Sequence, residues 1–258
     1  MNTRSWIFAL RGEWCKLISL RSTWWTLAAT LVVAVGMAYL QGWLLRDYTP
    51  PPGARPLDPF FPGSLGLVLA LPALAGFGIV STAGEYSART LSSSLLAVPN
   101  RNGFYLAKVV AAAGLSVVTV LVAVPLAHLA CQAGLGDDGV RLTSQDALTV
   151  LAGSAIFMVS MAVFAIGVGA VARNSAVALG VMLPLLFLSS QGLGNIPAIQ
   201  DYAQYLPDQG GQVIMRIVPA DDPAFAKDYG PWQGLGLTGT WAAALLAAGW
   251  WVTRRAEP

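Results

Sequence analysis

The side chains able to do chemistry in this chain are few, and they are scattered. It has one histidine, His128, and two cysteines, Cys15 and Cys131, in 258 residues. One histidine excludes a multi-histidine metal site. Two cysteines make neither a disulfide framework nor a cysteine-rich metal site. There is no G-x-x-x-x-G-K-[ST] phosphate loop, no H-E-x-x-H and no G-x-S-x-G, so neither nucleotide binding nor hydrolysis by those routes is encoded. The acids divide by type: three Glu (Glu13, Glu85, Glu257) and ten Asp, five of which crowd the stretch 191–230. His128 is the one ionisable side chain well inside an apolar run. An ionisable group at membrane depth marks a candidate site, although a neutral imidazole can equally serve by hydrogen-bonding a neighbour.

The elements that must position these groups follow from the charge distribution. Charged residues are only 11% of the chain and apolar residues 55%, against roughly 25% charged in soluble globular proteins. A soluble enzyme would lack surface charge at this composition, and a disordered chain would be more polar. The net charge of +2 excludes a strongly basic nucleic-acid binder, so no nucleic-acid partner is expected. Six windows contain no Asp, Glu, Lys or Arg: 22–45, 59–84, 109–136, 147–172, 174–200 and 229–253. Each is long enough for one crossing of ~30 Å of hydrocarbon by ~20 residues and too short for two. Lipid cannot satisfy a loose backbone, so the crossing element is helical.

The expected fold is all-α: a single polytopic membrane domain, 1–258, with six transmembrane helices at 24–45, 60–83, 109–133, 147–172, 174–190 and 231–253. The fifth stops near Ser190, where the run QGLGNIP turns polar and rich in Gly and Pro. Pro72, Pro125 and Pro184 fall inside spans and kink them. Small residues (Ala111-Ala112-Ala113-Gly114, Gly167, Gly169, Gly180) permit close helix contact. No charge lies deep in any span. That pattern speaks against an ion-coupled carrier or a charged-ring channel and suits an apolar or amphipathic cargo.

Orientation follows from the basic residues. With the N-terminus inside, ten Lys and Arg fall inside and five outside, the bias of cytoplasmic loops. All three Glu fall inside and all ten Asp outside. A cell-membrane location with both termini cytoplasmic is expected, which puts Cys15 and Cys131 on opposite sides. The first window is too long and too late for a cleaved signal peptide and is expected to be retained.

Two cytoplasmic segments stand out. In 4–21, Trp6, Leu10, Trp14 and Leu17 recur at the helical period with Arg4, Arg11, Glu13, Lys16 and Arg21 between them. This is an amphipathic interfacial helix, read either as a force-transmitting element or as a simple anchor in membrane lipid. In 84–108 (GEYSARTLSSSLLAVPNRNGFYLAK), a short helix over 87–96 is expected, with Leu91, Leu95 and Leu96 as apolar contacts and Pro99 as its stop. Joined to two spans, it makes a lever for a soluble motor or a loop that only sets topology.

The order E-W-x-K-L-x-S-x-R-S-T-W-W (Glu13 to Trp25), followed by G-E-Y-x-x-x-T-L and P-x-R-x-x-x-x-x-A-K, resembles the small six-helix type 2 ATP-binding-cassette (ABC) exporter permeases of bacterial drug and bacteriocin export. In layout the resemblance covers nearly the whole chain; its specific motifs lie at 13–25 and 84–108. It implies an interfacial helix touching an ATPase and a coupling helix after the second span. Glu85, Tyr86, Arg89, Thr90, Leu91, Pro99 and Arg101 would form the docking region. Ser87-Ala88-Arg89 stands where the family often has a basic residue and Gly before the Thr. The resemblance also implies that the outer loop 191–230 carries short helices that dip toward the bilayer and cap the cargo path; an ordinary extracellular loop with an interfacial helix is the other reading.

On this reading the chain is not an enzyme and holds no cofactor. Two copies of a partner ATPase would bind ATP and Mg, beside a second permease copy or paralogue. The competing readings are a non-transporting membrane immunity or scaffold protein, and an intramembrane enzyme using His128 and the outer Asp residues.

Overall fold

The computed structural model describes residues 3–53, 56–87, 100–190, 199–218 and 227–255. The elements among them are all helical: α1 (Thr3–Ser19), α2 (Arg21–Leu44), α3 (Phe61–Ser87), α4 (Arg101–Leu135), a 3-10 turn (Gly136–Asp138), α5 (Gln145–Ala172), α6 (Ser175–Ser190), α7 (Gln200–Ala203) and α8 (Pro231–Arg255). Five of these, α2, α3, α4, α5 and α8, are long and apolar enough to cross a membrane. The protein is therefore a polytopic helical membrane protein.

α6, the remaining expected span, has 16 residues, about 24 Å at 1.5 Å per residue. These described residues alone fall short of the ~30 Å hydrocarbon thickness. The coupling helix expected over 87–96, apart from Ser87 at the end of α3, and the segments 191–198 and 219–226 of the outer loop lie outside the described residues.

Local chemistry sets the helix boundaries. Asn100 caps α4, its side-chain oxygen accepting from the backbone N–H of Asn102 at 3.1 Å and Gly103 at 3.2 Å. Ser144 does the same for α5 through Ala147 N–H. The caps satisfy N–H groups that have no partner inside their own helix. α4 begins at Arg101, eight residues ahead of the apolar window expected at 109–133. Its 35 residues run about 52 Å. Residues 100–108, expected as loop, are thus the cap and first turns of a helix that projects beyond the hydrocarbon. At the junction of α1 and α2 only Leu20 leaves the helical conformation (φ −79°, ψ 121°). This makes an elbow, closed by the indole N–H of Trp24 donating to the Ile18 carbonyl at 2.8 Å.

Small residues bring the spans together. α2 buries one stripe, Leu27, Thr30, Ala34, Ala38 and Gly42, and exposes Trp25, Val32 and Trp43 on its other faces. At Gly134 of α4 an added Cβ would come within 2.6 Å of the Tyr39 carbonyl oxygen of α2, so only glycine permits this approach. The buried core, with Leu74, Ile79, Phe157, Met158 and Met161 fully enclosed, lies among α3, α4 and α5. Thr82 of α3 donates to the Ile166 carbonyl of α5 at 3.0 Å, beside Gly169, which leaves room for it. Gly180 has open space around it and mediates no such contact.

Candidate functional site at the two ends of the bundle

The α1 end of the bundle is basic, and it is tied together by a buried ion pair. Glu13 faces inward from α1, and Lys108 faces it from α4, Nζ to Oε2 at 2.7 Å. The two side chains are only 10% and 6% exposed, respectively. The Lys108 ammonium also lies 5.0 Å from the centre of the Phe104 ring, a favourable cation–π arrangement. Burial of two charges is tolerable only when they are paired and hydrogen-bonded. The pair therefore fixes α1 against the base of α4.

The rest of α1 follows from that contact. Its buried face is Ala9, Glu13 and Leu17, one residue per turn. Trp6, Leu10 and Lys16 flank it half-buried, and Trp14 is partly exposed. The Trp14 ring sits over Gly114, where an added Cβ would come within 3.1 Å of Cζ3. The helix thus packs on the bundle with a glutamate at the centre of its inner face. The face read from sequence, Trp6–Leu10–Trp14–Leu17, is rotated from it. Lys16 sits on the flank, its ammonium pulled below the ordinary value of 10.5 first by burial and then by Lys108, with Glu13 acting in the opposite direction.

The C-terminal end of α8 is held at this same end. Tyr105 OH donates to the Leu246 carbonyl at 2.8 Å, and Arg101 donates to the Arg254 carbonyl at 3.1 Å. Trp250 N–H donates to the Asn102 side-chain oxygen at 3.1 Å. Arg173, in the left-handed conformation at the end of α5 (φ 51°), donates to the Val252 carbonyl. The last carbonyls of a helix lack partners within it and carry partial negative charge. Here the Arg101 and Arg173 guanidinium groups supply missing donors at Arg254 and Val252, and the Tyr105 phenol adds a bond to a carbonyl further up the helix. Arg101 is the one expected docking residue whose side chain is described, and it turns toward α8. Glu85 and Tyr86 lie in the last turn of α3. Arg89, Thr90, Leu91 and Pro99 lie outside the described residues.

Between α1, the elbow and the last turns of α3 is a cavity of about 420 Å³ bordered by Glu13, Lys16, Leu17, Thr23, Phe77 and Val80.

The opposite end is acidic, and the segment after α7 enters it. Gln204, Asp208, Gln209 and Gln212 are all buried, as are Ile214 and Met215. An added Cβ at Gly211 would strike the Phe157 ring of α5, and one at Gly210 would strike the Gly234 carbonyl of α8. Phe157 is twelve residues into α5, about 18 Å along it, so the segment is wedged well inside the bundle.

A polar network holds the segment to α8 and its approach. Thr238 donates to the Pro207 carbonyl at 2.8 Å, Trp241 to the Tyr205 carbonyl at 2.9 Å, and Tyr229 OH to the Gln204 carbonyl at 2.7 Å. Gln204 and Asp228 bond reciprocally at 2.5 and 2.9 Å. Lys227 donates to Gln209 at 3.2 Å, and Gln209 in turn to Asp208 at 2.9 Å. Burial pushes the Tyr229 phenol above its ordinary value, with Asp208 and Tyr205 adding to the shift. Burial also lowers Lys227, which Asp208 partly offsets. Arg216 spans Asp58 and Asp146, each at 3.3 Å, and stacks 5.3 Å from the Phe60 ring. It thereby links this segment to the starts of α3 and α5.

His128 is fully buried in α4. Its Nδ1 lies 3.0 Å from the Val124 carbonyl one turn back. Among the described residues Nε2 has no hydrogen-bond partner. Its surroundings are Gly63, Phe60 and Cys131. Cys131 directs its thiol toward the Pro59 carbonyl, and both cysteines are free. Among the described residues no group of three or more His, Cys, Asp and Glu side chains could hold a metal. Sequence reasoning did not single out Tyr105, Asn102, Gln204 or Gln209, whose roles depend on partners far along the chain.

No protein-family model matches the chain, and a search of curated proteins finds no significant match.

Proposed function

We propose that this chain is the membrane-spanning permease subunit of an ABC exporter. It would move an apolar or amphipathic cargo, such as a drug, peptide or lipid, out of the cell. ATP hydrolysis belongs to a separate cytoplasmic ATPase, two copies of which bind ATP and Mg beside this chain and a second permease copy or paralogue. On this reading the basic end is cytoplasmic and the chain makes six passes. α6 begins where α5 ends at the basic end, and the described chain resumes at Ile199 in the acidic half, so α6 is read as the described part of the fifth pass. Both termini are then cytoplasmic.

One observation carries the proposal: the ties at the basic end converge on the first turns of α4. Lys108 binds α1, while Arg101, Asn102 and Tyr105 hold the end of α8. The segment 88–99 joins α3 to these same turns. A push on it is passed at once to α1, α4 and α8, as a coupling element requires. The acidic-end wedge between α5 and α8 then responds as those helices tilt, acting as the outer gate. The nucleophile beside His128, the Cys131 thiol, is directed at the Pro59 carbonyl instead, which favours packing over catalysis.

The test is a photo-crosslinking residue at Leu91, with a second at Ile7 on the exposed side of α1 as comparison. Capture of an ATP-binding protein from Leu91 supports the reading. Failure to capture one from cells in which the chain is functional would remove the basis for it.

A further inference from the structure

The segment wedged into the acidic end is fastened by a residue that its own backbone disfavours. Met215 N–H bonds to the Gly211 carbonyl at 3.0 Å, which makes one helical turn. The turn closes with Arg216 N–H on the Val213 carbonyl at 3.1 Å and Ile217 N–H on the Gln212 carbonyl at 2.9 Å. These two bonds form a Schellman termination, whose left-handed position is usually glycine. Here that position is Arg216, at φ 54°. A residue with a Cβ is strained there, and such a conformation persists only where the surrounding structure imposes it.

The guanidinium imposes it. It reaches Asp58, ahead of α3, and Asp146, in the first turn of α5, each at 3.3 Å. It also lies 5.3 Å from the centre of the buried Phe60 ring. Asp58 is itself fixed at the entry to α3, since its Oδ1 accepts from the Phe60 backbone N–H at 2.9 Å. The Arg216 and Asp58 side chains are about a third exposed, and Asp146 is 75% exposed. Attractions in such places are weak and screened by salt. Their sum is of the same small order as the backbone strain they offset. A contact so balanced shifts with a modest change in either part.

We infer that Arg216 is a latch: it seats the wedged segment across the starts of α3 and α5, and the seat loosens as ionic strength rises at the acidic end. The two carboxylates favour closure, and the strained backbone favours release. The neighbouring residues carry the movement inward, because Ile214 lies against Gly153 of α5 and Gly211 against Phe157. The latch does not depend on the transport reading and needs neither cargo nor an ATPase to operate.

Thiol labelling of the full chain in detergent tests this, with Ile214→Cys as the reporter, both native cysteines replaced and an uncharged maleimide as the probe. Ile214 is buried, so the reagent reaches this position only when the segment lifts. With Arg216 in place, the rate is expected to rise about threefold, or roughly 0.7 kcal/mol, between low salt and about 1 M. Arg216→Gly is expected to show that faster rate already at low salt and to lose the salt dependence, even though glycine suits the backbone better. Arg216→Lys keeps the charge without the planar fork and is expected to fall between the two. Asp146→Asn removes one anchor, leaves the Asp58 bond to Phe60 intact, and serves if Arg216→Gly does not fold; it too is expected to speed labelling at low salt. Labelling no faster in these variants than with the latch intact would overturn the proposal, since Arg216 would then be only a tolerated cap. Faster labelling in Arg216→Gly that salt still increases threefold would overturn its electrostatic basis.

Discussion

The Glu13–Lys108 pair invites the sharpest perturbation. At 2.7 Å two unit charges attract by roughly 6 kcal/mol at an effective dielectric of 20. Desolvation of both ends offsets much of that, so the net value of the intact pair is small. Removing one end is different, because it strands a charge that is largely enclosed. Glu13→Leu and Lys108→Met should each cost about 3–5 kcal/mol. The double substitution Glu13→Leu with Lys108→Met should recover most of the loss. The assay is unfolding in detergent, read as a double-mutant cycle. At about 2–4 °C per kcal/mol for a chain of this size, each single variant should lower Tm by roughly 10 °C. Single losses below about 1 kcal/mol with no coupling would match an exposed pair and refute the argument that α1 is fixed by a buried charge.

Other consequences follow from the same geometry. Arg216→Ala breaks two ion pairs whose members are a third or more exposed, so it should cost under about 1 kcal/mol; a stability change that persists in 1 M salt would contradict this. Gly211→Val places a side chain in the Phe157 ring and should unseat the wedged segment. A cysteine replacing Gln209 in a Cys15/Cys131-free background should react slowly with thiol reagents in the parent and at least tenfold faster beside Gly211→Val. The Tyr229 phenol keeps its proton in the folded protein above its ordinary pKa of 10.0, while the unfolded chain loses it. The folded state then binds more protons, so stability should fall as pH rises past about 10. Tyr229→Phe should flatten that fall, and an unchanged alkaline profile would count against a buried phenol.

Much of the helical layout was legible because it rests on local signals. Charge-free windows marked the spans from α2 to α5 and α8. The caps Asn100 and Ser144 are local signals too, but the charge-free windows put the start of α4 at 109 instead of 101 and leave 100–108 as loop. What escaped notice depends on contacts between distant residues. Glu13 and Lys108 are 95 positions apart. Their charges read as solvated flanks of an interfacial helix and a topogenic loop, whereas each is buried by the other. Tyr105 and Asn102 look like ordinary residues at a helix start, and their partners lie 141 and 148 positions away. The stretch from Gln204 to Val218 is polar enough to be read as surface. Its two adjacent glycines, Gly210 and Gly211, were the available signal for a backbone pressed against other helices. The described part of α6 reaches Ser190 and, at 16 residues, is shorter than its neighbours.

The central claim is tested most directly by isolating the tagged chain from its own membranes in mild detergent and measuring ATP hydrolysis in the eluate. The permease reading predicts a co-purifying ATPase that is lost when residues 85–101 are scrambled while membrane levels stay unchanged. A well-folded chain that elutes alone and without ATPase activity would contradict it.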